Sequence, residues 1–263
     1  MVNIFQKKVL ILAIYAGEIM MKNGAEVYRV EDTITRICKA CRMDHVEIFA
    51  TPTGIFVSLD NGGEDDDPLT YVKRIDGIET DLNKISKINH FSREFTTTDL
   101  SVDDAMKQLK EIDETKPYPI PLRLLGAALV ASFFSLIFGG APVDFCVAFV
   151  VGMFAYAFSR FLGKFDINFF VRCFCSCAGA AFLALVASSW IDAAAYQPVI
   201  IGTLMIFVPG VAITNAIRDF LSGSMLSGIC RMMEAFLIAV ALAAGAGVVL
   251  KLWSVIGLSL IHI

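Results

Sequence analysis

The 263-residue chain predicts an α-helical integral membrane protein, with five transmembrane helices preceded by a small cytosolic α+β domain. Three observations predict it. Charge is unevenly split: residues 1–116 carry 15 Lys and Arg against 21 Asp and Glu, whereas residues 117–263 carry only 7 and 5. The charge-poor part holds several apolar runs near the roughly 20 residues that a helix needs to cross a bilayer. The junction, Lys116-Pro-Tyr-Pro-Ile-Pro121, stops any helix by repeated proline and makes a stiff linker. The predicted domains are therefore 1–116 and 117–263. At 56% hydrophobic the chain is too apolar for an ordinary soluble protein, and a net charge of −4 leaves no basic surplus for nucleic acid.

The N-terminal part is justified element by element. Lys7 and Lys8 ahead of Val9–Gly17 imitate a secretory leader, but Glu18 follows at once and no small-residue cleavage site is evident. About nine apolar residues also cannot span a bilayer, so the segment reads as a retained domain helix. Residues 8–23 and 25–43 form two helices broken near Asn23-Gly24. In the second, Val27, Val30, Ile34, Ile37 and Cys41 recur at three- and four-residue steps and make one apolar face. Arg29, Asp32 and Arg36 lie off that face, the last two at helix-supporting spacing. Three short strands follow at His45–Ala50, Gly54–Leu59 and Thr70–Ile75, with the acidic Asp60–Pro68 as a solvated turn lacking the ligand order of a calcium loop. Helices at 81–95 and 101–114 complete the domain, the second opened by Ser101-x-x-Asp104.

Of the seven cysteines, five sit in or beside apolar runs, where free Cys packs as a small hydrophobe. Cys38 and Cys41 form a lone C-x-x-C with no second soluble pair to complete a zinc site, and on a helix they read as packing residues in a reducing cytosol. No metal and no cofactor are expected, since no phosphate loop, nucleophile elbow or metal cluster occurs.

Five apolar spans are predicted at about 121–138, 142–159, 172–190, 197–217 and 231–252. The second link holds Arg160, Lys164 and Arg172, and the fourth contains or borders Arg218 and Arg231; the first and third links hold no Lys or Arg. The positive-inside rule then puts the second and fourth links and the N-terminal domain in the cytosol, with the C-terminus outside. Small residues recur along the third span (Ser176, Gly179, Ala180, Ala184, Ser188) and the fifth (Ala239, Ala243, Gly245, Gly247). Such stripes let helix backbones approach closely, in this chain or in a second one, so an oligomer is expected.

The fourth span carries the candidate site. Pro209-Gly210 interrupts it about halfway, and Thr214, Asn215, Arg218, Asp219 and Ser222 follow at once. A helix broken near the bilayer midplane frees amides at the start of its second half, where the dipole favours a carboxylate. Pro209, Gly210, Thr214, Asn215 and Arg218 are thus the candidate substrate-binding residues. Asp219, Arg231 and Glu234 are charged at membrane depth and are candidates for proton coupling or gating. A second placement fits equally: Pro209-Gly210 ends the span and 211–222 lies as an interfacial helix at the cytosolic mouth.

Several stretches together resemble the threonine/serine exporters, specifically their N-terminal half: Asn23-Gly-Ala-Glu-Val-Tyr-Arg-Val-Glu-Asp-Thr33, Thr51-Pro-Thr-Gly-Ile55, Pro209-Gly through Thr214-Asn-Ala-Ile-Arg-Asp-Phe-Leu-Ser-Gly223, and Arg231-x-x-Glu234-Ala235. The resemblance runs from about residue 8 to about 250. It implies a small-solute exporter in the bacterial cytoplasmic membrane. Because the sequence stops after its fifth predicted span, it also implies the larger subunit of a split, two-chain version that acts with a smaller membrane subunit. The implied solutes are small hydrophilic carboxylates, either threonine and serine or dicarboxylates such as succinate. The alternative is a membrane-anchored, hydrolase-like enzyme using Glu26, Tyr28, Glu31, Asp32 and Thr33, although no nucleophile, base and orienting group come together there.

Overall fold

The first helix is apolar on nearly every side, and the computed structural model shows why: it is the central element of a packed core. The structure describes residues 4–43, 45–59, 69–77, 79–165 and 167–261, of which 257–261 as backbone alone. The acidic turn at 60–68 lies outside the described residues. The chain divides into two units, Met1–Lys116 with Gly210–Met233, and Pro117–Pro209 with Glu234–Ile263.

In the first unit, α1 (Ile4–Lys22) buries residues on all sides from Val9 to Met21, the pattern of a core helix rather than a surface one. α2 (Val27–Ala40) is amphipathic and buries Val27, Val30, Ile34 and Ile37 as predicted, but Cys38 completes the face and Cys41 lies beyond the helix end, half-buried. Burial pushes the Cys38 thiol up to about 12, so it stays protonated and packs as a hydrophobe. The two helices approach closely at Gly17, where a Cβ would stand 2.6 Å from Ile34 Cδ1. Between them Gly24 takes φ +86°, which lets the amides of Gly24 and Ala25 close on the carbonyls of Met21 and Met20.

Strands β1 (Val46–Thr51), β2 (Gly54–Leu59) and β3 (Leu69–Arg74) form an antiparallel sheet in that order, with Thr51 facing Gly54 and Leu59 facing Leu69. Ala50, Ile55, Val57 and Leu59 turn into the core, while the cross-strand row Phe49, Phe56 and Val72 faces outward. Lys22 and Lys73 close on the buried Glu18 at 2.7 and 3.0 Å and keep that acid paired. α3 (Leu82–Thr97) and α4 (Val102–Asp113) are capped by Asp81 and Ser101, the latter accepting the Asp104 amide as its spacing predicts.

The second unit contains α5 (Ile120–Ile137), α6 (Pro142–Leu162), α7 (Phe169–Trp190), α8 (Tyr196–Leu204) and the greater part of α10 (Met225–Ile261). Among the described residues four helices are long and apolar enough to cross a membrane: Ile120–Ile137, Pro142–Phe165, Phe169–Trp190 and Met225–Ile256. The predicted fourth span at 197–217 differs. It is two short helices, α8 and α9 (Gly210–Leu221), and α8 has only 9 residues, roughly 14 Å of helix. The helix gives way earlier than Pro209: the amides of Ile206 and Phe207 already turn back three residues, to Thr203 and Leu204. Pro209, two residues on, has no amide N–H to donate, and the helix restarts at Gly210.

Small residues set the spacing in this unit. A Cβ on Gly202 would lie 2.4 Å from the Ala131 carbonyl, so α8 rests directly on the α5 backbone. On α7, Ser176, Ala180 and Ala184 are buried as the stripe predicts. On α10 the buried side is Ala235, Ile238, Leu242, Gly245 and Ala246, whereas Ala239, Ala243 and Gly247 face outward. The predicted α10 stripe thus combined two sides of one helix, of which only that bearing Gly245 packs within the unit. Asp144, buried near the start of α6, accepts the amides of Ala141 and Ala195, both at 2.7 Å, and so ties the α5–α6 link to the α7–α8 link.

Candidate functional site

The most concentrated polar chemistry lies in the first unit, where α9 and the start of α10 meet the turn between α1 and α2. Four consecutive residues of that turn, Gly24 to Val27, each receive one contact from residues that follow Pro209. The Asn215 amide donates to the Gly24 carbonyl at 2.7 Å. Arg231 donates to the Ala25 carbonyl at 2.5 Å. Arg218 pairs with the Glu26 carboxylate, and the Val27 amide donates to Asp219 Oδ1 at 3.0 Å.

Helix geometry makes this possible. Asn215, Arg218 and Asp219 stand three and four positions apart, hence on one side of α9. Glu26 occupies the N-cap position of α2 in extended conformation, yet its side chain makes no cap bond. Asp219 supplies that cap from another helix, satisfying an α2 amide that has no partner within its own helix. Glu26 is thereby free to hold two guanidinium groups, Arg29 at 2.8 Å on Oε2 and Arg218 on Oε1.

Asp219 is fully buried and pairs with the equally enclosed Arg231, Nε to Oδ2 at 3.2 Å. α9 closes on Gly223, φ +87°, with the Ser224 amide bonding the Asp219 carbonyl at 2.8 Å. The chain then turns tightly into α10, where Gly228 seats against the Phe220 ring.

Burial would by itself push the Glu26 carboxyl up, but its own backbone amide and the bonds from Arg218 and Arg29 prevail and hold it below the usual glutamate value. Glu31, one turn further along α2, is raised: burial dominates, the Ala50 amide at 2.9 Å opposes it, and the negative charge of Asp219 adds to it. The two acids therefore act oppositely on stability. The Glu26 contribution is complete above the ordinary value and is lost as pH falls through its lowered one. The Glu31 contribution is complete below the ordinary value and is lost as pH rises through its raised one. Glu31→Gln keeps an acceptor for Ala50 and removes the charge. It is expected to melt higher than the parent at about pH 8, with the gap closing toward about pH 4, in thermal melts across that range.

Of the residues proposed from sequence, the structure brings Asn215, Arg218, Asp219 and Arg231 together. It leaves the other four outside the cluster. Pro209 belongs to the second unit, and among the described residues nothing beyond the adjoining chain comes within 4 Å of a Cβ built on Gly210. The exposed Thr214 hydroxyl turns back to the carbonyls of Gly210 and Val211, both at 3.0 Å, and Glu234 is exposed on α10. The reading from sequence missed the partners: three of the four positions in the Gly24–Val27 turn contribute backbone atoms, which leave no side-chain signature. Among the described residues no group of three or more His, Cys, Asp and Glu is placed to hold a metal ion.

A three-stranded unit joined in one chain to four apolar helices of membrane-crossing length defines a polytopic α-helical membrane protein. The family model described as "Putative threonine/serine exporter" matches residues 11–253, and the chain belongs to that family, a family of transporters rather than enzymes. It is 24% identical over 245 residues to a "Probable threonine/serine exporter" of Mycobacterium tuberculosis, covering 92% of this chain and 46% of that protein. It is 22% identical to the "Threonine/serine exporter" of Corynebacterium glutamicum, covering 92% of this chain and 50% of that protein. The chain thus spans about half the length of these two relatives. It is also 24% identical to the "Probable succinate transporter subunit YjjP" of Klebsiella aerogenes, with 96% of both chains covered. No solved structure matches it.

Proposed function

We propose that this chain is the larger subunit of a two-chain secondary exporter for small hydrophilic carboxylates in the bacterial cytoplasmic membrane. The observation that carries the reading is the pattern of coverage: the chain matches about half of each long exporter yet nearly all of a transporter subunit. A smaller membrane chain would supply the missing half. Threonine and serine, or dicarboxylates such as succinate, are the solutes that the relatives' names support.

The charge of the links supports a cytosolic first unit, because Arg160, Lys164, Arg172, Arg218 and Arg231 lie in or beside the second and fourth of them. In this reading α8 and the following segment to Pro209 make the remaining crossing, and Arg218, the exposed member of the cluster, meets the solute. Arg218 is the group best suited to receive a carboxylate: its side chain is 59% exposed while the Glu26 it holds is 4% exposed. An incoming carboxylate can engage its outer face bidentately or replace Glu26, which Arg29 still neutralises. Asp219, Arg231 and Glu234 would then serve coupling or gating.

Arg218→Ala tests this. In cells that carry both subunits it is expected to lower efflux at least about tenfold, with the protein still abundant in the membrane because the lost side chain is largely exposed. Export at the parent rate would remove Arg218 from the solute path.

A further inference from the structure

Three arginines converge on a small cavity that the export reading does not use. It lies between α2 and α3 in the first unit, measures about 150 Å³, and is lined by Arg29, Arg36 and Arg93 together with Thr33, Asn89 and Ser92. Asp32 is the one acid on its wall. The charges do not balance locally. Arg36 holds Asp32 at 2.6 Å, in a pair that is open to solvent on both sides. Arg29 holds Glu26, which Arg218 shares. The Arg93 side chain pairs with no acid among the described residues, and its backbone carbonyl accepts the hydroxyls of Thr96 and Thr97.

Like charges gathered around one void repel, and an anion placed there relieves the repulsion. Guanidinium forks match the oxygens of a phosphoryl group in both geometry and charge. Neutral donors are also present. The Asn89 amide and the hydroxyl of the buried Thr33 line the cavity with no partner among the described residues, whereas the Ser92 hydroxyl is already given to the Asn89 carbonyl at 3.1 Å. At about 150 Å³ the cavity lies below the roughly 300–1,000 Å³ of drug-sized ligand pockets, which suits a phosphoryl group with at most a small ester.

We propose that this cavity is a regulatory binding site for a small soluble phosphate or phosphate monoester, held by Arg29, Arg36 and Arg93 with Asn89 and Thr33. Occupancy would also reach the export residues. A ligand that draws on Arg29 leaves Glu26 more dependent on Arg218, so the ligand competes with Glu26 for Arg29 and its occupancy tightens the contact that holds α9. That consequence rests on the export reading; the binding site itself does not.

The test uses the full chain purified in detergent and titrated calorimetrically with inorganic phosphate, chloride being withdrawn to hold ionic strength constant. Saturable binding is expected, and Arg93→Ala should weaken it at least about tenfold. Asn89→Ala, a neutral change at the wall, should weaken it as well and keeps the test readable if the arginine variant unfolds. Glycerol 3-phosphate should compete, and a short-chain phosphatidylglycerol should not. No saturable binding, equal affinity in both variants, or competition by the lipid alone would each overturn the proposal. The readout is binding, so failure here leaves the efflux result standing and the reverse also holds.

Discussion

Asp219→Ala is expected to be the most damaging substitution in the first unit, lowering its stability by about 3–5 kcal/mol, the usual cost of removing one member of a buried ion pair. Two losses combine. Arg231 keeps its bond to the Ala25 carbonyl but loses the carboxylate that neutralises it in an enclosed position. The α2 helix loses the acceptor for the Val27 amide, worth about 1 kcal/mol by itself. Asp219→Asn separates the two, since an amide oxygen can still accept from Val27 while the charge is gone; it should fall between the alanine variant and the parent. Denaturant titration of the purified chain, followed by a probe on α2, measures the difference. A loss in the alanine variant below about 0.5 kcal/mol, the level of ordinary surface changes, would show that the cap and the ion pair do not hold this contact.

Gly245→Ala should carry the largest effect in the second unit. A Cβ there would stand 2.3 Å from the Phe174 carbonyl oxygen and 3.1 Å from its carbon. The opposing atoms are backbone, so no side chain can rotate away, and α10 must move from α7 or the peptide must shift. Overpacking of this kind costs about 1–3 kcal/mol, and here the upper end is expected. Gly247→Ala is the internal control, because among the described residues nothing outside its own helix turn comes within 4 Å of its Cβ position. It should change the thermal midpoint in detergent little or raise it slightly through better helix propensity. Equal behaviour of the two variants would mean that the α7–α10 approach is looser than described.

The two glycines also show what can and cannot be read from a sequence. A stripe of small residues on α10 was evident, but which of its members touch another helix depends on how the helix is rotated, and the apolar residues around it give no asymmetry in lipid. The helices of the first unit were legible because polar and apolar residues divide their faces: Val27, Val30, Ile34 and Ile37 lie on the core side where periodicity put them. The four long spans were legible from length alone. The fourth predicted span was not, because Pro209 marked a break without revealing that the turns before it had already left the α-helical pattern at Ile206.

For the site, the charged members were visible because ionisable groups near an apolar run are costly. Three of the four turn positions they meet were hidden, because Gly24, Ala25 and Val27 contribute main-chain atoms from about two hundred residues away. Asp144 was overlooked for the same reason, since both of its donors are backbone amides. The Arg93 side of the small cavity was equally silent, because it comes from α3 while the other two arginines come from α2.

That long separation carries a consequence for biogenesis. Val27 and Asp219 meet across 192 positions, and Arg231 reaches Ala25 across 206. A nascent chain has therefore released all of α1 to α8 before the start of α2 can be finished, and native closure of the N-terminal unit must wait until the intervening apolar segments have been delivered to the translocon. Severed at the proline linker, residues 1–116 would be left with the amide of Val27 and the carbonyls of Gly24 and Ala25 bare, a fragment for chaperones and proteases rather than a free-standing domain.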